Sequence, residues 1–197
     1  MTGRPSRYRG MEQTTGKGTA SREPLEFPAF VAARGRHLLR TAFLLTGGDA
    51  HLAEDLVQEA LGRVYGKWRR ISRMENPAGY AQTVLANTFL SYRRRRSSTE
   101  RATDSIPEAG VSDPDPALRL TLLRALGELA AVDRAVLVLR FREDRSVEET
   151  AAALHLSPTA VRSRSSRAPA RMRARLGEES AAVLCLALLT RPSARRT

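Results

Sequence analysis

Residues 49–70, DAHLAEDLVQEALGRVYGKWRR, leave little choice of conformation. Leu52, Leu56, Val57, Ala60, Leu61, Val64, Tyr65 and Trp68 recur every three or four residues, so they fall along one stripe of an α-helix. Glu54, Asp55, Gln58 and Glu59 occupy the other side near its start, and Arg63, Lys67, Arg69 and Arg70 its end. That order of charge complements the helix dipole. Asp49 stands where an N-cap is needed, and Gly47-Gly48 interrupts whatever precedes it. Such a helix must bury its stripe against other helices. Its acidic side is an exception in a chain of formal net charge +12, and needs a reason.

At 197 residues, the chain has room for one ordinary domain or two small ones. Aromatic residues make up only 5%, so the cores must rest on Leu, Val and Ala, a composition that favours helices. The excess of 33 basic over 21 acidic residues points to a polyanionic partner, most simply nucleic acid. Lys17 and Lys67 are the only lysines. Arginine suits bidentate contacts to phosphate and guanine, and a GC-rich genome produces the same bias without function. Cys185 is the single cysteine, which excludes an internal disulfide and a cysteine-based zinc site and fits a reducing cytoplasm. The basic start lacks the apolar run of a signal peptide. No segment reaches the roughly 18 apolar residues of a bilayer span, so a cytoplasmic protein without membrane insertion is expected.

The pattern predicts an all-α fold of two small helical domains joined by a flexible acidic linker. Residues 1–23 read as a disordered basic tail. Residues 24–96 form the first domain: one or two helices up to Thr46, the helix of residues 49–70, and a helix opened by Asn76-Pro77 that ends in Arg93 to Arg96. Residues 97–116 hold three prolines and five acids, the composition of a linker. Residues 117–177 are helical again. Leu118, Leu122, Leu126 and Leu129 share a stripe, a break follows at Ala131-Val132 with Asp133 as cap, and AVLVLRF forms a buried helix. Residues 178–197 form an extension with a short apolar segment, AAVLCLALL.

Within the second domain, Ser146 and Glu149 fit a capping box, and Ser157-Pro158 pairs an N-cap with proline at the first helical position. Two helices with so short a turn between them, the second rich in arginine, suggest a helix-turn-helix. Val161, Ser165, Ala168, Met172 and Leu176 share its inward face, while Arg162, Ser163, Ser166 and Arg167 share the opposite one. A helix fits the major groove, where arginine pairs with guanine and serine reaches bases or phosphate. Arg164 and Arg171, with Arg173 and Arg175, are better placed for phosphates. Tyr80, Asn87, Phe89 and Tyr92 beside Arg93 to Arg96 combine groups that stack on unpaired bases with cations that follow a backbone. His37, His51 and His155 show no metal-ligand spacing, and neither a phosphate-binding glycine loop nor a nucleophile elbow occurs. No cofactor, metal or enzymatic activity is expected.

LLTGGDAHLAEDLVQEALGRVYGKW resembles region two of the extracytoplasmic-function (ECF) group of bacterial RNA polymerase sigma factors. LGELAAVDRAVLVLRFREDRSVEETAAALHLSPTAVRSRSSRAPARMRARL resembles region four. The resemblance implies a subunit that guides core RNA polymerase to promoter DNA and performs no chemistry itself. It implies docking on the polymerase through Asp55, Leu56, Gln58 and Glu59. It assigns minus-ten recognition to Asn76, Tyr80 and Asn87 with Arg93 and Arg94, and minus-thirty-five recognition to Arg162, Ser163, Ser166 and Arg167. An anti-sigma factor is a further implied partner, with the apolar extension as its docking surface or else as an extra helix. Three residues depart from the family pattern: His155 in place of glycine in the turn, and Ser165 and Pro169 in place of apolar residues in the recognition helix. Proline in a helix interior removes a donor and costs roughly 3 kcal/mol, so a kink or break is expected near Pro169.

Three other readings follow from the residues alone: a free-standing helix-turn-helix regulator, an enzyme acting on nucleic acid, and a basic protein that coats RNA. The first leaves the acidic face without a partner, the second lacks a catalytic constellation, and the third has no use for the turn chemistry around Ser157-Pro158.

Overall fold

Gly47 and Gly48 both adopt positive φ, 76° and 102°, and reverse the chain between its first two helices. The computed structural model describes residues 26–99 and 116–176. The expected tail at 1–23, most of the linker and the extension after 176 lie outside the described residues. So does the apolar segment. Among the described residues every regular element is helical.

Helix α1 (Phe27–Thr46) runs unbroken through Gly35 and buries Phe30, Leu38, Thr41, Ala42 and Leu45. Its end is closed by glycine: the Gly47 N–H donates to the Leu44 carbonyl and that of Gly48 to the Phe43 carbonyl. A Cβ on Gly47 would lie 2.9 Å from Cα of Gly127, so both backbone and packing require glycine there. Helix α2 (Ala50–Tyr65) starts as expected, with the Asp49 carboxylate accepting the Leu52 N–H at 2.9 Å.

The single helix expected over residues 49–70 is in fact two. It stops at Tyr65, turns through Gly66-Lys67, and resumes as α3 (Trp68–Ile71). The turn swings Trp68 against Phe27 and Phe30, with ring centroids 5.2 and 4.8 Å apart, and buries Ile71. Gly66 resists a break least, and aromatic packing decides the new direction. Helix α4 (Pro77–Thr99) is capped by Asn76, whose Oδ1 accepts the Gly79 N–H at 2.8 Å.

The second unit begins with α5 (Pro116–Glu128), on which Leu122 and Leu126 are buried, as is Leu129 just after it. The break falls at Leu129-Ala130, earlier than expected, so Asp133 lies inside α6 (Ala131–Leu137) and does not cap it. Helix α6 passes directly into a π-helical turn (Val138–Arg142). Helix α7 (Val147–Leu154) opens with both arms of the Ser146–Glu149 capping box in place. His155 ends it in the left-handed region at φ 55°. Ser157 Oγ accepts the Ala160 N–H at 3.2 Å and starts α8 (Pro158–Leu176).

The break expected at Pro169 does not occur: α8 is continuous to Leu176. Val161, one turn before the missing Pro169–Ser165 bond, and Ala168, next to the proline, are both buried, and Ala168 packs with Leu122, Leu126 and Leu129. Tertiary packing therefore outweighs one lost hydrogen bond. Ser165 keeps its cost, since its hydroxyl is buried without a hydrogen-bond partner.

One apolar cluster runs from Phe30, Leu56, Leu85 and Phe89 into Val136, Val138, Leu139 and Leu154. The two helical units thus lie against each other over a shared core, with α1 and α4 facing α6, the π-turn and α7. No helix among the described residues is long and apolar enough to cross a membrane. No group of three or more metal-ligating side chains occurs among them either.

Candidate functional site

Capping by Ser157 and the buried Val161 fix the rotation of α8, and with it the direction of its arginines. Arg162, Ser166 and Arg167 are exposed and Ser163 is half-buried, so the four expected base-reading residues share one side. They are already tied together. The Arg167 guanidinium donates to Ser163 Oγ, Ser166 Oγ donates to the Ser163 carbonyl at 3.1 Å, and Arg162 pairs with Glu148 of α7 at 3.1 Å. These contacts are solvent-exposed, so each is individually weak. Arg164 and Arg171 reach instead to Asp133 of α6, Arg164 through a direct ion pair and Arg171 at 3.6 Å. With Ala160 and Arg167 they line a notch of about 270 Å³.

Helix α4 holds the expected single-strand residues at three places. Asn76 is exposed at its start, with its side chain spent on capping, and Tyr80 is half-buried one turn on. Arg93 and Arg94 are exposed near its end. Asn87, between them, is half-buried, and its Nδ2 donates to the Ala153 carbonyl of α7 at 2.9 Å.

On α2, Asp55 and Gln58 are exposed, and Glu59 is half-buried while accepting a hydrogen bond from Arg63 at 2.5 Å. Leu56 is a correction. At 1% exposure it belongs to the apolar stripe behind this face and has no surface to offer a partner.

A polar cluster between the units has no counterpart in the sequence reading. Glu143, whose side chain is 2% exposed, meets His37 Nε2 at 2.7 Å, accepts from Thr41 Oγ1 at 2.5 Å, and accepts from the Gln82 amide. Arg145 donates to Thr83 Oγ1 at 2.8 Å, to Gln82 Oε1 at 3.0 Å and to the Gly79 carbonyl. Burial pushes the Glu143 carboxyl up, but the hydrogen bonds from His37 and Thr41, with the charges of His37 and Arg142, hold it below its ordinary value. Burial likewise lowers Arg145, with Glu143 and Glu149 opposing. Glu149 is lowered by its bonds to Ser146. Sequence separations of 61 to 106 residues leave no periodic signal for these pairs.

A family model described as sigma-70 region 2 matches residues 30–99, and one described as sigma-70, region 4 matches residues 119–172. An RNA polymerase sigma-E factor of Streptomyces coelicolor is 40% identical over 156 residues, which cover 78% of this chain and 88% of the relative. This chain belongs to the sigma-70 family of RNA polymerase sigma factors. Its group within that family is the ECF one: the ECF RNA polymerase sigma factor SigL of Mycobacterium tuberculosis is 33% identical over 154 residues, 75% of this chain and 86% of SigL.

Among solved structures, the sigma factor RpoE of Bartonella quintana, crystallised with the anti-sigma factor NepR, matches with a TM-score of 0.65. That match covers 77% of this sigma factor and 98% of RpoE at 24% identity, a likeness of fold. Region 2 of the sigma factor corresponds to α1–α4 and region 4 to α5–α8. Its activity is to direct RNA polymerase to promoters.

Proposed function

We propose that this sigma factor docks on core RNA polymerase through Asp55, Gln58 and Glu59, reads the minus-ten element with α4 and the minus-thirty-five element with α8, and carries out no bond chemistry itself. The supporting observation is the acidic side of α2, off the apolar stripe, in a chain of net charge +12. A self-contained DNA-binding regulator has no use for such a face. Arg162, Ser163, Ser166 and Arg167 read bases, while Arg164 and Arg171 bind phosphate after leaving Asp133. Asn76, Tyr80, Asn87, Arg93 and Arg94 take the unpaired strand. Because RpoE was crystallised with NepR, an anti-sigma factor is a reasonable partner here too, and a cytoplasmic location follows from this role.

The test is charge reversal of the acidic face. Asp55→Lys with Glu59→Lys should weaken core-polymerase binding at least about ten-fold, since like charges across an interface cost several kcal/mol. The circular dichroism and melting temperature should stay within error, because the ion pair lost, Glu59–Arg63, is an exposed one. Core binding equal to that of the parent chain would overturn the docking face. Tight duplex binding without polymerase would favour a free-standing regulator.

A further inference from the structure

Helix α8 supplies no acid of its own: from Pro158 to Leu176 every charged side chain is an arginine. Among the described residues its counter-charges come from two neighbouring helices, and they differ in exposure. Glu148 of α7 pairs with Arg162 in the open, the two side chains being 65% and 61% exposed. Asp133 of α6 pairs with Arg164 and faces Arg171 at 3.6 Å, and its own side chain is only 11% exposed. Its oxygens are divided between the two, Oδ1 towards Arg164 and Oδ2 towards Arg171. One carboxylate thus bridges two successive pairs of turns on the recognition helix.

Exposure decides what each pair costs to break. When Arg162 turns to DNA, water replaces it at Glu148 with little penalty. Asp133 is nearly covered, so a departing guanidinium leaves a carboxylate that water reaches only in part. Asp133, Arg164 and Arg171 line the surface notch of about 270 Å³ together with Ala160 and Arg167, and Arg167 is a candidate base reader. A backbone phosphate beside that base-reading face meets the same two guanidinium groups that Asp133 holds. Carboxylate and phosphate accept from arginine in the same way, so they compete for one set of donors.

We infer that the notch is a phosphate subsite of α8 and that Asp133 is its resident competitor, a residue that sets how tightly the helix holds a DNA backbone. The inference rests on the phosphate role of Arg164 and Arg171 proposed above. Every complex that draws these arginines away must uncover Asp133, and that cost offsets part of the phosphate gain. Base contacts through Arg162, Ser163, Ser166 and Arg167 bear no comparable cost, because Glu148 is already in water. A helix rich in arginine is thereby moderated in its attraction to backbone, which leaves the bases a larger share of binding.

The test uses the full chain and a fluorescein-labelled duplex of mixed sequence, about 30 base pairs long, at one fixed salt concentration, because duplex affinity varies with salt. Asp133→Asn keeps the shape of the side chain and removes its charge. Duplex affinity should rise about ten-fold, the lower end of the couplings found between close charge pairs. Glu148→Gln changes net charge equally beside the same helix, and should raise affinity less than about three-fold because its pair is exposed. Adding Arg164→Ala and Arg171→Ala should abolish the gain given by Asp133→Asn. Circular dichroism checks folding, and Asp133→Ser takes the place of Asp133→Asn should the latter not fold.

Equal gains from Asp133→Asn and Glu148→Gln would assign the effect to overall charge and overturn the competitor. A loss of affinity in Asp133→Asn would also overturn it, since Asp133 would then align the arginines for phosphate. Suppose the arginine pair weakens the parent while Asp133→Asn leaves it unchanged. The phosphate role of the arginines would then stand and only the inference would fall. Arginine substitutions without effect in either background would instead sink the proposed phosphate role itself.

Discussion

Arg134 is 2% exposed, yet carbonyls rather than a carboxylate receive its guanidinium. It donates to Leu45 at 2.9 Å, Gly127 at 2.5 Å and Leu129 at 3.1 Å, and lies 5.7 Å from the centroid of the Phe89 ring. Leu45 belongs to the last turn of α1, and Gly127 and Leu129 flank the end of α5. One cation thus serves the unsatisfied carbonyls of two helix ends, where the dipoles are negative. Burial, with the charge of Arg93, lowers its pKa to about 10, which leaves it charged at neutral pH. Arg134→Met should destabilise the fold by about 3 kcal/mol, because several buried acceptors lose their donor together. A lower urea midpoint at constant m-value would show it, and a midpoint equal to that of the parent would refute the role. The sequence offered Asp133 as a cap and said nothing of Arg134. Only the position of the break at Leu129-Ala130 turns Arg134 towards α1 and Asp133 towards α8.

Among the elements, what the sequence made legible was local. Asp49, Asn76, Ser146 with Glu149, and Ser157 each bond within three residues, and all four caps stand where the residue types placed them. What it concealed was set by distant contacts. The helix of residues 49–70 yields to aromatic packing at Trp68, and α8 survives Pro169 because Ala168 is held by α5. The candidate DNA residues of α8 were legible through periodicity, whereas the bond from Asn87 to Ala153 and the burial of Leu56 depend on neighbours that periodicity does not reveal. Pro169 gives a test at this scale. Pro169→Ala restores an N–H for the Ser165 carbonyl and removes a ring clash, but loses ring packing and loosens the unfolded chain. The net gain should be about 2 kcal/mol, below the roughly 3 kcal/mol of an exposed helix interior. Thermal unfolding would register the gain, and duplex affinity should hold because Arg162, Ser163, Ser166 and Arg167 precede the site. A variant less stable than the parent would mean that α8 is built around the proline.

Across the whole molecule, two units share an apolar core and a buried polar cluster around Glu143, whose charge should make their contact depend on pH. Glu143 faces His37 of α1 together with Arg142 and Arg145 of its own unit, and it is hydrogen-bonded by the neutral Thr41 and Gln82. Because its pKa is depressed while the units are packed together, its contribution is fully present above the ordinary glutamate range. That contribution declines as pH falls below about 4.3 and is lost once the depressed pKa is passed. Protonation removes the charge that attracts His37 and leaves an O–H where an acceptor was needed, so the molecule should open on acidification before its helices melt. Scattering at fixed ionic strength should show the radius rising over this range while helicity persists. Other carboxylates titrate in the same window, so Glu143→Gln supplies the control. It should start from a larger radius at neutral pH and change less on acidification. An identical acid transition in both chains would assign the opening to those other carboxylates and remove Glu143 as the switch.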